Sequence, residues 1–414
     1  MAHGNIKLAE LLAFDAEFYC RRYPDIAKAI AAGDLSDAWH HYDRHGREEG
    51  RSLCDFDEKF YLSYPGVAKA IAGKQVETAL RHYIVHGRGR GYLPNFKAVR
   101  PNDAAAPASR FGGLWIDAGD APDRIKGRLE TGQITQLQAK QLDFFLTNGY
   151  VILPSAVPAP AIDAAIVDFD KAFVGGFEQL KFEAPEISRE NIAWRPLLTT
   201  VPVKALDIHH FSPAIRRLMF APAIAAFLAL IFENKALASQ SLGFLRGSAQ
   251  EGHQDSAYVP YTLPLKFAAS WVALEDVSIG AGELFYYPGS HRLPDYLYSG
   301  RYKSIAEAAR MGGTPDQMHT QNRQHVKSLE EVVQRFSLTK QVFAAKKGDV
   351  LIWHSDLIHG GHPVSQDITR KSVVTHYCPK HVAPLYSETH HPTFYEHDGH
   401  LYTSSHYPEF PPIM

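Results

Sequence analysis

His253 and Asp255 stand two residues apart in the run Gly252, His253, Gln254, Asp255. On an extended strand such a pair faces one side, about 6.5 Å apart along the backbone. An imidazole and a carboxylate placed this way can converge on one metal ion. A second histidine from elsewhere would complete a two-histidine, one-carboxylate set with coordination positions left open, the arrangement suited to non-haem Fe(II) and O2 chemistry.

A His-x-Asp pair carries little by itself, because a chain with 22 histidines produces such pairs by chance. The segment 348–363 adds weight. It reads as a turn at Gly348-Asp349, an apolar strand through Trp353, then His354, His359, Gly360, Gly361 and His362. His359 and His362 both offer the missing imidazole. Eleven residues after His359, Arg370 opens the strand 371–377. A guanidinium there can grip a carboxylate through two parallel hydrogen bonds, which lysine cannot imitate.

These residues need a scaffold of short strands. From residue 237 onward, Val, Ile, Phe, Tyr and Trp runs are broken by Gly, Pro and Asp, with strands expected over 238–245, 265–274, 283–287, 342–345, 349–354 and 371–377. Many short strands with turn punctuation argue for a sandwich or barrel. Ahead of them, 131–145 carries a helical stripe stopped by Asn148-Gly149, 150–154 reads as a strand, and 161–173 and 213–232 read as helices. The fold class is therefore α+β, a double-stranded β-helix (jelly-roll) core with flanking helices.

The first 96 residues follow a different pattern. Phe14, Phe18 and Tyr19 are echoed by Phe56, Phe60 and Tyr61. Tyr23, Pro24, Ile26 and Ile30 are echoed by Tyr64, Pro65, Val67 and Ile71. Ala38, His41, Tyr42, His45 and Gly46 are echoed by Ala79, His82, Tyr83, His86 and Gly87. An offset of about 41 residues marks a duplicated unit, here two or three short helices closed by a His-Gly turn. The expected organisation is a small all-α repeat domain over 1–96, a linker over 97–110 and the jelly-roll domain over 111–414. The i,i+4 pairs His41/His45 and His82/His86 have a spacing that can hold zinc, but no acidic or cysteine partner recurs with them, and packing is the preferred reading.

The stretch from about Tyr150 to Pro379 resembles the phytanoyl-CoA dioxygenase family of Fe(II)/2-oxoglutarate oxygenases. The resemblance rests on several pieces in order. They are Gly149 to Pro154, Gln240-Ser241, His253-x-Asp255, Trp271 to Glu275, Gly282 to His291 with its Pro288-Gly-Ser-His turn, His359 and Arg370. It implies that His253, Asp255 and His359 bind Fe(II), with His359 preferred over His362 by its spacing to Arg370. It implies that Arg370 pairs with the distal carboxylate of 2-oxoglutarate, with Gln240 and Trp271 as further co-substrate contacts. Tyr258 and Glu275 are expected at the substrate. The family often places a small hydroxyl residue two positions after the distal histidine; here that position is Gly361. The implied reaction consumes 2-oxoglutarate and O2, releases succinate and CO2, and hydroxylates an aliphatic carbon. Asp255 as a carboxylate ligand argues against halogenation. The resemblance leaves the substrate open between acyl-CoA thioesters, amino-acid-like solutes, phosphonates and secondary metabolites. The repeats are similar to short modules found beside bacterial polysaccharide enzymes, which points to a small-molecule or carbohydrate-linked (glycan) substrate and to docking through the repeats. The alternatives from other classes are a catalytically silent binding protein on the same barrel and a zinc hydrolase.

Composition sets outer bounds. A formal net charge of -2 lacks the basic excess of a nucleic-acid binder. No apolar run reaches the ~20 residues a membrane span needs. Three scattered cysteines, Cys20, Cys54 and Cys378, do not make a disulfide framework, and a reducing cytoplasm is expected. Among the remaining groups, Cys378 reads as a small core residue, His291 as a turn anchor, and His209-His210 as surface or capping residues. The long segment 292–340, helical over 305–310, reads as a lid. Its Arg301 and Lys303 read as a solvated pair or as contacts to an anionic substrate.

Overall fold

The computed structural model describes residues 10–11, 13–62, 67–87, 109, 111–188, 190–385, 393–407 and 412. The Tyr64-Pro65 echo, nearly all of the 97–110 linker and the first residues lie outside them. Contacts divide the chain into two compact units, Met1–Arg110 with Pro294–Gly300, and Phe111–Leu293 with Arg301–Met414.

In the first unit, the helices Ala16–Arg22, Pro24–Ala32 and Ala38–His41 are followed by a wider turn over Tyr42–Gly46. The second set is Glu58–Tyr61, Val67–Ala72 and Ala79–His82, with the same turn over Tyr83–Gly87. Pro24 opens its helix at a position where the missing N–H costs nothing. The same hydrogen bond recurs in both sets, Tyr19 Oη to His41 Nδ1 at 3.0 Å and Tyr61 Oη to His82 Nδ1 at 2.9 Å. Gly46 is needed because a Cβ there would meet the Tyr19 hydroxyl. These contacts account for His41 and His82 as packing residues.

The second unit is built on strands β1 (Tyr150–Leu153), β2 (Lys181–Glu183), β3 (Ile192–Ala193), β4 (Lys204–Leu206), β5 (Ala236–Phe244), β6 (Ala268–Ala273), β7 (Leu284–Tyr286), β8 (Gln341–Phe343), β9 (Val350–His354), β10 (His359–Gly361), β11 (Ser372–Pro379), β12 (Tyr395–His397) and β13 (His400–Tyr402). The larger sheet runs β1-β9-β6-β11-β5-β4-β2-β3, with β13 added parallel to β5 and β12 paired to β13. The smaller runs β10-β7-β8. The pairings in both are otherwise antiparallel, as in the two sheets of a jelly roll.

Both faces of the larger sheet are covered, so β6, β9 and β11 are buried along their whole length. The outer face, with Val272, Ile352, Val373 and Tyr377, packs on helices through Phe145, Phe169 and Phe227. The inner face presents Phe244, Trp271, Trp353 and Val374 to Leu284, Tyr286 and Phe343 of the smaller sheet. Strand alternation makes this division.

Several elements differ from the sequence expectation. The helix expected over 213–232 is two helices, Pro213–Met219 and Pro222–Phe232, bent by 52° where Pro222 starts afresh. No single helix among the described residues is long and apolar enough to cross a membrane. This bent pair passes on length and composition together, and most of its residues are buried in the core. The 21-residue helix Pro315–Arg335 lies in the segment read as a lid. Its signal was in the sequence: Thr314 and Gln317 form a capping box around Pro315.

Candidate metal centre

His359 sits on β10, and His253 lies beside it as an isolated antiparallel bridge. Each donates its N–H to the other's carbonyl, at 2.9 and 3.0 Å. Asp255 does not continue a strand, as the spacing suggested; it opens the turn Asp255–Ala257. The turn aims the carboxylate back at the histidines, so the three side chains converge through a bend rather than through pleat alternation. Their ligand atoms lie within 4.8 Å of one another, and all three residues are buried. Asp255 Oδ1 is 3.7 Å from His253 Nε2 and 3.6 Å from His359 Nε2.

Each imidazole is fixed from behind. His253 Nδ1 donates to Glu251 O and His359 Nδ1 to Leu357 O, both at 2.9 Å. That selects the tautomer with an Nε2 lone pair aimed at the carboxylate. Trp353 Nε1 donates to Asp255 Oδ2 at 2.8 Å and leaves Oδ1 to the histidine side. Burial, with the neighbouring His359, depresses the His253 pKa to about 3. Burial would raise the Asp255 carboxyl, but the imidazoles of His359, His376 and His253 hold it below its ordinary range. Neutral imidazoles and an ionised carboxylate are the forms that bind a metal.

The set opens into a cavity of about 390 Å³. Its wall follows the inner-face alternation: Gln240, Leu242 and Phe244 on β5, Val374 and His376 on β11, and Trp271 on β6. Arg370 reaches the same cavity, 2% exposed, with Nη1 donating to Gly282 O at 2.5 Å. Its Nε and the Trp271 Nε1 are buried without a hydrogen-bond partner among the described residues. Burial lowers the Arg370 pKa to about 10, with Glu283 opposing the shift, so it stays cationic at neutral pH. A buried cation and an unpaired indole N–H facing one cavity are costly unless an acceptor such as a carboxylate meets them. The residues therefore fit both groups, a divalent metal on the His-Asp-His set and a dicarboxylate against Arg370.

Tyr258 also lines the cavity, donating to Asn322 Oδ1 of the helix Pro315–Arg335 at 2.9 Å. Ser248 lines it too. A Cβ on Gly361 would stand 2.7 Å from Ser248 Oγ, so this hydroxyl occupies the space beside Gly361.

Glu275 is not brought to the cavity. Strand β6 ends at Ala273, and Glu275 Oε1 accepts from Lys371 N at 2.8 Å, tying the end of β6 to the start of β11. His362 packs its ring on Phe285, and His354 pairs with Asp117 at 3.1 Å. His291 anchors a turn through Leu146 O. His209 and His210 are fully buried rather than at the surface, His209 being held by Ser241 Oγ and Thr403 O. Lys303 is buried rather than solvated, in an ion pair with Asp356 at 2.8 Å. Asp356 also accepts from Ser256 Oγ, next to Asp255.

The model of the family Phytanoyl-CoA dioxygenase (PhyH) matches residues 145–372. The curated Phytanoyl-CoA dioxygenase 1 of Oryza sativa subsp. japonica is 23% identical over 270 residues, spanning 58% of this chain and 88% of its own. Among solved structures, the epimerase SnoN in complex with Fe3+, alpha ketoglutarate and nogalamycin RO is 16% identical with a TM-score of 0.47, covering 64% of this chain and 98% of its own. EctD from S. alaskensis in its apoform is 18% identical with a TM-score of 0.42, covering 59% and 77%.

Proposed function

The chain belongs to the phytanoyl-CoA dioxygenase family, whose members are 2-oxoglutarate-dependent dioxygenases that use Fe(II), and we propose that it hydroxylates an aliphatic carbon of a small molecule or carbohydrate-linked substrate. The observation that carries this reading is the convergence of His253, Asp255 and His359 at one cavity with the buried Arg370.

His253, Asp255 and His359 would hold the metal. Arg370 would pair with the distal carboxylate of 2-oxoglutarate, with the Trp271 indole N–H and the Gln240 amide as further contacts. Ser248 Oγ would supply the hydroxyl that Gly361 lacks. When bound, Fe(II) with 2-oxoglutarate and O2 couples release of succinate and CO2 to oxidation of a substrate carbon. The chain's own groups do the positioning. Glu251 O and Leu357 O orient the two imidazoles, Trp353 orients the carboxylate, and Phe244, Leu242, Val374 and Leu284 keep water from the co-substrate. Tyr258, braced by Asn322, borders the substrate side.

The first 96 residues are read as a duplicated helical module that docks a partner or glycan, and the cytoplasm as the compartment. Succinate formation from 2-oxoglutarate in air, with Fe(II) present, tests the reaction. Arg370→Ala should raise the KM for 2-oxoglutarate at least tenfold. Metal-dependent hydrolysis that ignores 2-oxoglutarate and survives Arg370→Ala would favour the zinc hydrolase.

A further inference from the structure

Asp255 opens the short 3-10 turn Asp255–Ala257, and no side-chain hydrogen bond caps that turn. A single turn of this kind has poor hydrogen-bond geometry and holds its own orientation weakly. Contacts from outside must set where the carboxylate points.

Asp356, in the turn between β9 and β10, supplies them. It binds the residue on each side of Asp255. Gln254 Nε2 donates to Asp356 O at 2.8 Å, and Ser256 Oγ donates to Asp356 Oδ1. Ser256 N donates to the neighbouring Ser355 O at 3.0 Å. Asp356 is itself held from two further directions. Its N–H donates to His354 Nδ1 at 3.0 Å. Lys303 Nζ, from the segment before the helix Ile305–Arg310, donates to Oδ2 at 2.8 Å. Every polar group of Asp356 therefore has a partner. Gln254, Ser256, Lys303 and Asp356 are 1–3% exposed, and none of the four lines the cavity.

The same segment, 353–359, carries Trp353, which donates to the Asp255 carboxylate, and Leu357, whose carbonyl orients His359. Asp356 thus ties the stretch bearing His253 and Asp255 to the stretch bearing His359. A buried ion pair is weak evidence for stability, because packed apolar side chains of similar volume often do as well. Apolar side chains cannot supply direction, and the bonds to Gln254 and Ser256 do. A site of this kind needs its side chains within about 0.5 Å of the productive geometry. Partners that orient ligands change metal affinity by about 10- to 100-fold.

We propose that Asp356, with Lys303 as its counter-ion, is the positioning residue of the metal centre: by binding Gln254 and Ser256 it fixes the turn that points the Asp255 carboxylate at His253 and His359. This rests on the reading of those three residues as the Fe(II) set.

The test is equilibrium Fe(II) titration of the metal-free full chain under nitrogen, with chemical denaturation of each variant alongside. Ser256→Ala removes the bond to Asp356 Oδ1 and leaves the ion pair in place. Gln254→Met removes the other bond with little change in side-chain volume. Each should raise the Kd for Fe(II) about tenfold or more. Ser212→Ala is the control, a buried serine at a helix start whose Oγ donates to Asp168 Oδ2 at 2.5 Å. It loses a comparable bond away from the metal set and should leave the Kd unchanged. Lys303→Met should raise the Kd in the wild-type background and add little to Asp356→Asn. A wild-type Kd in both Ser256→Ala and Gln254→Met, or an equal rise in Ser212→Ala, overturns the proposal; Gln254→Met decides alone if Ser256→Ala does not fold. An equal effect of Lys303→Met in both backgrounds overturns the counter-ion role. A wild type that binds no Fe(II), or that still binds it as Asp255→Ala, instead sinks the reading of the metal set, and the proposal with it.

Discussion

At His253 and His359 the same local device recurs: Nδ1 donates to the carbonyl two residues earlier, and Nε2 is left facing Asp255 Oδ1. The Asp255 carboxylate is held by Trp353 across the cavity wall. Trp353→Phe removes that bond together with part of the buried indole's packing, and should weaken Fe(II) affinity by about ten- to a hundredfold, read by equilibrium titration under nitrogen. Gly361→Ser is expected to raise the KM for 2-oxoglutarate, because its Cβ would displace Ser248 Oγ from 2.7 Å away. Combining it with Ser248→Ala should relieve the clash and recover much of the loss. That His253, Asp255, His359 and Arg370 meet at one cavity was legible in the sequence because their spacing is local to two short segments and matches a family pattern. Ser248 was not, since it comes to stand beside Gly361 through a contact distant in sequence. Glu275 was misplaced for a related reason: alternation from Trp271 holds only while the strand lasts, and β6 stops at Ala273.

The elements around the site are tied by buried charge. Lys303 and Asp356, with side chains 2% and 3% exposed, link the segment before the helix Pro315–Arg335 to the turn that follows β9. Lys303→Met leaves the Asp356 carboxylate buried without its cation and should cost about 3–5 kcal/mol in chemical denaturation, with Asp356→Asn in the same background restoring part of it. A second tie joins β9 to the 3-10 turn Trp115–Asp117 through His354 and Asp117. Burial depresses the His354 imidazole, but Asp117 outweighs it and the pKa is raised. A folded-state pKa above the unfolded one gives stability that is complete below the unfolded value, about 6.5, and is lost as pH rises through the folded value. The stability difference between wild type and His354→Gln should therefore shrink as pH increases from about 6.5; a flat profile would contradict this tie. The strands of the jelly roll were legible because short β-branched and aromatic runs sit between glycines and prolines. Strands β2, β3, β4, β10, β12 and β13 were not, since each has two or three residues and no apolar run of its own; β4 and β13 pair along β5, and β2, β3 and β12 build on those two.

Taken as a whole molecule, the second unit is a jelly roll whose two sheets enclose a cavity, with a metal set at one point of the wall and a buried guanidinium facing it. The outer helices bury the other face of the larger sheet and keep the inner face in register. A ligand that binds only this folded arrangement stabilises it by mass action, about 2.7 kcal/mol at a hundredfold excess over Kd. Fe(II) with 2-oxoglutarate should accordingly raise Tm under nitrogen, and a chelator should reverse the gain. The most direct measurement is an anaerobic Fe(II) titration in the presence of 2-oxoglutarate, followed by visible absorbance, on wild type, Asp255→Ala and Arg370→Ala. The expected result is one Fe(II) per wild-type chain with an absorbance band that needs both components. Metal binding should be lost in Asp255→Ala, and in Arg370→Ala it should persist with the band shifted to higher 2-oxoglutarate concentration. Stoichiometric Fe(II) binding that survives in Asp255→Ala, or a wild-type chain indifferent to 2-oxoglutarate, would contradict the account.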